Sequence, residues 1–125
     1  MHKPRWFLPI LAALLLGVLQ VHAESPASLA GPYDIWEDFE GGTVCPLTLE
    51  DEPAIGGSAL SGDDDCMQVF NFAGDPYAWF PDGEGRLVII DATRRVLVRF
   101  DALQDGTFYA IRSDAGLENL NLTPQ

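Results

Sequence analysis

The sequence predicts an all-β domain of about eight short antiparallel strands. Three observations predict it. Beyond residue 23, apolar residues recur at every second position rather than at helical spacing. The apolar runs are broken at fairly regular intervals by Gly, Asp and Pro, which supply the backbone geometry of turns. The 102 residues from Glu24 onward hold 11 aromatic side chains, enough to fill a small interior. Strands joined by hairpin-sized links give an up-and-down barrel or a two-sheet sandwich, and closure into a barrel also removes exposed edges.

The chain opens with a segment of another kind. His2, Lys3 and Arg5 form a basic start, residues 6–19 are apolar apart from Pro9 and Gly17, and Val21 and Ala23 place small apolar residues before a cleavage point. This is a secretory signal pattern, and the apolar run is shorter than the about 20 residues of an ordinary membrane-spanning helix. The alternative is an uncleaved anchor. Residues 1–23 are thus expected to be removed, leaving a protein that starts at Glu24 in the periplasm or outside the cell. Residues 24–32 then form an N-terminal arm and residues 33–125 the β domain.

The first strand is expected over residues 33–39, with Tyr33, Ile35 and Phe39 on one side. Gly41 and Gly42 turn the chain. Residues 43–50 follow, with Cys45, Leu47 and Leu49 on one face, and Pro46 marking an edge or a bulge because it cannot donate to a ladder. A strand near residues 55–60 precedes the Asp63, Asp64, Asp65 run. Asp65 is expected to cap one or two helical turns starting near Cys66, with Met67, Val69 and Phe70 buried. Residues 77–80 resume the strands, and Pro81 to Gly85 make a turn in which Pro sets φ and Gly accepts positive φ.

Residues 86–91 are the most apolar strand, with both faces covered, including Leu87 and Ile89. Residues 95–101 alternate, with Val96, Val98 and Phe100 pointing inward. Asp105-Gly106 is a hairpin signal. Residues 107–112 form the next strand, 114–116 a turn, and 117–122 the last. The predicted core is Tyr33, Leu47, Leu49, Trp79, Leu87, Ile89, Val96, Val98 and Phe100.

Cys45 and Cys66 are the two cysteines of the chain. An even number in a small exported domain reads as a disulfide, with two free thiols as the alternative. The whole chain carries a formal charge of −12; without residues 1–23 it keeps five arginines against 19 acids, a charge of −14, with no Lys and no His. Such a charge repels nucleic acid and anionic lipid. Without His there is no Ser–His or Cys–His catalysis, and two thiolates cannot complete a zinc shell. Asp63, Asp64 and Asp65 with Asp75, or Asp82 with Glu84, offer oxygen ligands for calcium but lack EF-hand spacing, and read as solvated loops. Paired carboxylates for glycoside hydrolysis would need a sugar cleft that a filled barrel does not leave. The chain therefore reads as no enzyme, with no cofactor.

At this point the residues resemble a known family. Leu29-x-Gly31-x-Tyr33, then Cys45-x-Leu47-x-Leu49, then Cys66-Met67, then Trp79-x-Pro81 with Asp82-Gly83, followed by the apolar strand and residues 96–100, are similar to the bacterial alkaline-protease inhibitors. These are periplasmic inhibitors of serralysin-type zinc metalloproteases. The resemblance spans roughly residues 29–112. It implies an eight-stranded antiparallel up-and-down β-barrel, lipocalin-like in miniature, with one disulfide and a short helical turn. It also implies that the segment before the first strand enters the protease cleft, its N-terminus approaching the catalytic zinc. By position that inhibitory arm is Glu24, Ser25, Pro26, Ala27, Ser28 and Leu29. A free α-amino group can ligate an open zinc position, and Pro26 lowers the entropy lost when the arm is ordered. Two positions depart from the family pattern: Glu24 heads the arm where a small residue is usual, and Tyr33 stands where Trp is usual.

The expected function is inhibition of a secreted serralysin-type zinc metalloprotease by a monomeric periplasmic protein. It would hold no metal when free and have no nucleic-acid or membrane partner. The alternative is a small-ligand or protein-interaction barrel without inhibitory activity, with a cavity among Tyr33, Trp36, Trp79 and Phe100.

Overall fold

In the computed structural model, which describes residues 25–125, eight strands follow one another antiparallel and the last pairs with the first, closing a barrel. They are β1 (Gly31–Glu37), β2 (Val44–Ala54), β3 (Gly57–Gly62), β4 (Ala78–Pro81), β5 (Arg86–Ile90), β6 (Val96–Ala102), β7 (Phe108–Ala110) and β8 (Leu120–Pro124). Closure is made by β1, whose Tyr33 lies opposite Leu47 of β2 and Pro124 of β8. This excludes the two-sheet sandwich. The expected signal segment, residues 1–23, and Glu24 at the head of the arm lie outside the described residues.

Side chains alternate as a closed sheet requires. Tyr33 and Ile35, then Cys45, Leu47 and Leu49, then Trp79, Leu87, Ile89, Val98, Phe100, Phe108, Ala110, Leu120 and Leu122 form one buried cluster that fills the barrel. The Trp79 indole N–H, buried in that cluster, donates to the carbonyls of Glu50 (3.0 Å) and Ala59 (2.9 Å). The ring thus ties β2 to β3 from inside, where the β2–β3 register shifts between Leu49 and Pro53. Close approach of β3 to β4 depends on Gly57, since a Cβ there would lie 2.4 Å from the Trp79 carbonyl oxygen. A second, smaller cluster of Ala78, Val88 and Ile90, packed with Ala54, Phe80 and Val96, covers the outer face of β5. That is why β5 is apolar on both faces.

Several local expectations are corrected. Val96 is not in the barrel core. Ile89 pairs with Val98 but Ile90 with Val96, so Leu97 is an extra residue in β6. The bulge reverses the inside–outside parity, sending Val96 to the outer cluster and Leu97 towards the interior. Phe39 is 48 % exposed, because β1 ends at Glu37 and the chain turns before the alternation reaches Phe39. Of the two readings for Pro46, the edge holds and the bulge does not. Pro46 pairs with Asp34 of β1, and the β3 ladder stops at Leu47, so its missing N–H lies where β2 has one neighbour. Ile55 falls in the turn before β3, and β7 stops at Ala110, leaving Ile111 exposed.

The helical turn is α2 (Asp64–Met67), continued by a 3₁₀ turn at Gln68–Phe70. Its cap is Asp63, not Asp65: the Asp63 carboxylate accepts from the Cys66 amide at 3.1 Å. Met67 and Phe70 are buried while Val69 is exposed. A Cys45–Cys66 disulfide joins α2 to β2. It holds Met67 and Phe70 over one end of the barrel, called here the plug end.

Both ends of β5 carry the same device, an Asp four residues before an Arg. Asp82 accepts from the amides of Glu84 (2.8 Å) and Arg86 (2.9 Å), and the Arg86 guanidinium donates to it at 2.8 Å. Asp91 accepts from the Thr93 hydroxyl (2.7 Å) and the amides of Thr93 and Arg95 (both 2.9 Å), with Arg95 Nε at 3.3 Å. These hydrogen bonds, the Thr93 hydroxyl foremost, hold the Asp91 carboxyl below its ordinary value of 3.8 although burial opposes them.

Two predictions follow from these contacts. The Cys45→Ser, Cys66→Ser double variant is expected to lose about 3 kcal/mol of stability in urea denaturation, the loop-closure entropy that the bridge removes from the unfolded chain. For Asp91 the folded pKa is depressed, so its contribution is complete above the ordinary value and is lost as pH falls through the folded one. Asp91→Ala should therefore unfold at a lower temperature than the wild type at neutral pH. Melting curves taken down to about pH 2.5 should show that gap narrowing.

Candidate functional site

Up-and-down topology sorts the loops into two sets. The plug end carries the β1–β2 turn, α2, the β5–β6 turn and the β7–β8 link. The opposite end carries the start of β1, the β2–β3, β4–β5 and β6–β7 turns, and the C-terminus. The expected arm is attached to this second end, and its described part is residues 25–29.

Pro26 at the first turn of a helix sets φ and lacks only an amide that has no intrahelical partner there. Pro26–Leu29 accordingly form one helical turn, α1. The Ser28 amide and hydroxyl donate to the Ser25 carbonyl at 3.2 and 2.9 Å, and the Ala30 amide donates to the Pro26 carbonyl at 2.9 Å. Ser25, Ala27 and Ser28 are exposed and Pro26 is half-buried. Leu29 and Ala30 pack against the barrel core.

The arm is held from inside the barrel. Tyr33 is buried on β1 with its ring 6.5 Å from that of Phe108, and its hydroxyl donates to the Leu29 carbonyl at 2.7 Å. Burial raises the Tyr33 hydroxyl above its ordinary pKa of 10.0, so it remains a donor throughout the physiological range. The chain end supports the same strand: the Gln125 amide donates to the Pro32 carbonyl at 3.0 Å, and its side chain to the Tyr33 carbonyl at 3.2 Å.

Beside α1 the rim forms a shallow crevice of about 280 Å³, bounded by Leu29, Pro81, Leu103 and Phe108. Leu103 is 54 % exposed at the base of the β6–β7 turn, where its amide donates to the Thr107 carbonyl at 2.8 Å. The Asp82–Arg86 pair lines one wall. The Arg86 amide, foremost among its partners, keeps the Asp82 carboxyl below the usual range.

Of the predicted site residues, the structure brings Ser25 to Leu29 together with Tyr33 and separates them from Cys45 and Cys66, which sit on β2 and α2. The predicted core residues other than Val96 line the interior. Among the described residues, the four side chains expected to line a ligand cavity do not enclose a common one. Tyr33, Trp79 and Phe100 are packed in the core, and Trp36 lies on the outer face, donating to the Thr123 hydroxyl at 3.3 Å. Among the described residues, no three His, Cys, Asp or Glu side chains are grouped to hold a metal ion. The tie from Tyr33 to Leu29 was not read from the sequence. Its signal was a Tyr at an inward strand position, since a buried phenol needs a partner for its hydroxyl.

The described residues thus form a closed, packed barrel with a disulfide-held plug at one end and a short arm at the other. Comparison with known families gives the class. The family model for protease inhibitor Inh matches residues 23–122, and the chain belongs to that family of protease inhibitors, which are not enzymes. No curated protein sequence matches it. Among solved structures, the crystal structure of a psychrophilic marine protease MP inhibitor is similar, with a TM-score of 0.66 at 19 % identity. The match covers 82 % of this chain and 100 % of that one, and at this identity it shows the fold.

Proposed function

We propose that this protein is a periplasmic inhibitor of a secreted serralysin-type zinc metalloprotease, and that residues 24–29 occupy the active-site cleft of the enzyme. The observation that carries the reading is the arm itself. Among the described residues, a short segment outside the sheet projects its exposed Ser25, Ala27 and Ser28 from the rim that the inhibitor would present. A narrow arm suits a cleft; a barrel end alone is too broad to enter one.

The chemistry of the arm supports the same reading. Cleavage after Ala23 would leave a free α-amino group on Glu24 with a carboxylate on the same residue, both able to approach a metal with an open coordination position. The part of the chain from Glu24 onward contains no His and no Lys. Any zinc in the complex would therefore keep the protease's own ligands, completed by this N-terminus. The Cys45–Cys66 bridge and the signal pattern of residues 1–23 support export to an oxidising compartment such as the periplasm.

The test is deletion of residues 24–28 from the processed protein, with inhibition of a serralysin-type protease from the same organism as the readout. The deletion variant should keep the barrel's circular dichroism and lose at least about 100-fold in affinity, some 2.7 kcal/mol. Full inhibition by a folded deletion variant rejects the arm mechanism. A processed wild-type protein that leaves the protease active at micromolar excess rejects the target.

A further inference from the structure

We propose that Tyr33 is the positioning residue of the arm: its buried hydroxyl and the bend at Gly31 together set the direction in which residues 24–29 leave the barrel. The inference rests on the arm reading above and deepens it.

Leu29 is the last residue of α1, and the final carbonyls of a helix have no partner within it. The Leu29 carbonyl finds its partner four residues on, in the Tyr33 hydroxyl at 2.7 Å. That hydroxyl is held in place by its surroundings. It sits on a phenol packed near Phe108, on a strand paired on both sides, at Leu47 and at Pro124. Between the two ends of the tie lie Ala30, Gly31 and Pro32. Gly31 has φ of 147°, outside the range that side-chain-bearing residues favour, and a Cβ there would meet nothing within 4 Å. Space does not demand glycine at this position; the backbone angle does. Pro32 then fixes the next φ. A bend that only glycine favours, followed by a rigid residue and closed by a hydrogen bond, leaves the arm one direction of exit. An arm ordered before it meets the enzyme loses less freedom on binding.

The test uses the processed protein labelled with ¹⁵N. Tyr33→Phe keeps the ring and its packing and removes the one hydrogen bond. Gly31→Ala disturbs the bend without a steric clash. In both variants the heteronuclear NOE of residues 28–30 should fall while core amides such as those of Leu47 and Phe100 stay unchanged. Inhibition of the protease should weaken about 2- to 10-fold, the range expected for one hydrogen bond. An unchanged NOE in both variants overturns the proposal. So does an unchanged inhibition constant alongside a lowered NOE. If the wild-type protein fails to inhibit at all, the functional reading falls, and the NOE still decides whether Tyr33 holds the arm.

Discussion

Everything at the arm-bearing end of this molecule depends on the double pairing of β1. That strand carries the arm, and it is held by β2 on one side and β8 on the other. A strand at an open edge could peel or shift register, and its leading segment would move with it. Closure removes that freedom. It also brings the last residue of the chain beside the first strand, where Gln125 bonds the Pro32 and Tyr33 carbonyls. The arm thus emerges from one of the most supported strands of the sheet rather than from a fraying terminus.

The same closure decides what kind of function the fold can carry. Eight strands enclose a space that side chains fill, and here Trp79, Phe100, Phe70 and a ring of aliphatic residues fill it. The interior is thereby a packed core, and the molecule meets solvent at its two ends and outer wall. The ends are built differently. One is closed by α2, pinned to β2 through the disulfide, with Met67 and Phe70 turned inward. The other keeps three hairpin turns around α1. Arginines are used mostly as ties within the chain. Arg86 and Arg95 clamp turns, and Arg112 donates to the Phe70 carbonyl at 2.6 Å with its guanidinium 5.6 Å from the Phe72 ring centroid. Three of the five arginines beyond residue 24 are so engaged, and against 19 acids they leave a strong acidic excess.

Where the sequence alternates without interruption, it was sufficient. Cys45, Leu47 and Leu49 face inward as their spacing requires, and so do Leu87 and Ile89. The turns at Gly41, Gly85, Asp105-Gly106 and Gly116 fall where residues that tolerate positive φ stand. Errors arose where a neighbour overrules the local pattern. Val96 belongs by spacing to the face of Val98, but the register of β5 inserts a bulge at Leu97 and reverses the parity. Asp63, Asp64 and Asp65 are equivalent as caps in the sequence. Asp63 is the one whose carboxylate meets the Cys66 amide, beside the bridge to Cys45.

The sequence by itself determined the strand content, the inward faces of most strands, the cysteine pair, the acidic surface and the resemblance that led to a protease-inhibitor family. The first four follow from composition or from periodicity along the chain, and the resemblance from the order of its motifs; none needs a partner strand. Only the tertiary structure decided that β8 closes onto β1, that Tyr33, Trp79 and Phe100 pack into one core, and that the Tyr33 hydroxyl meets the Leu29 carbonyl. These are meetings between groups on different elements or across a bend. Their geometry is set by packing and register, quantities that a linear pattern of side chains does not contain.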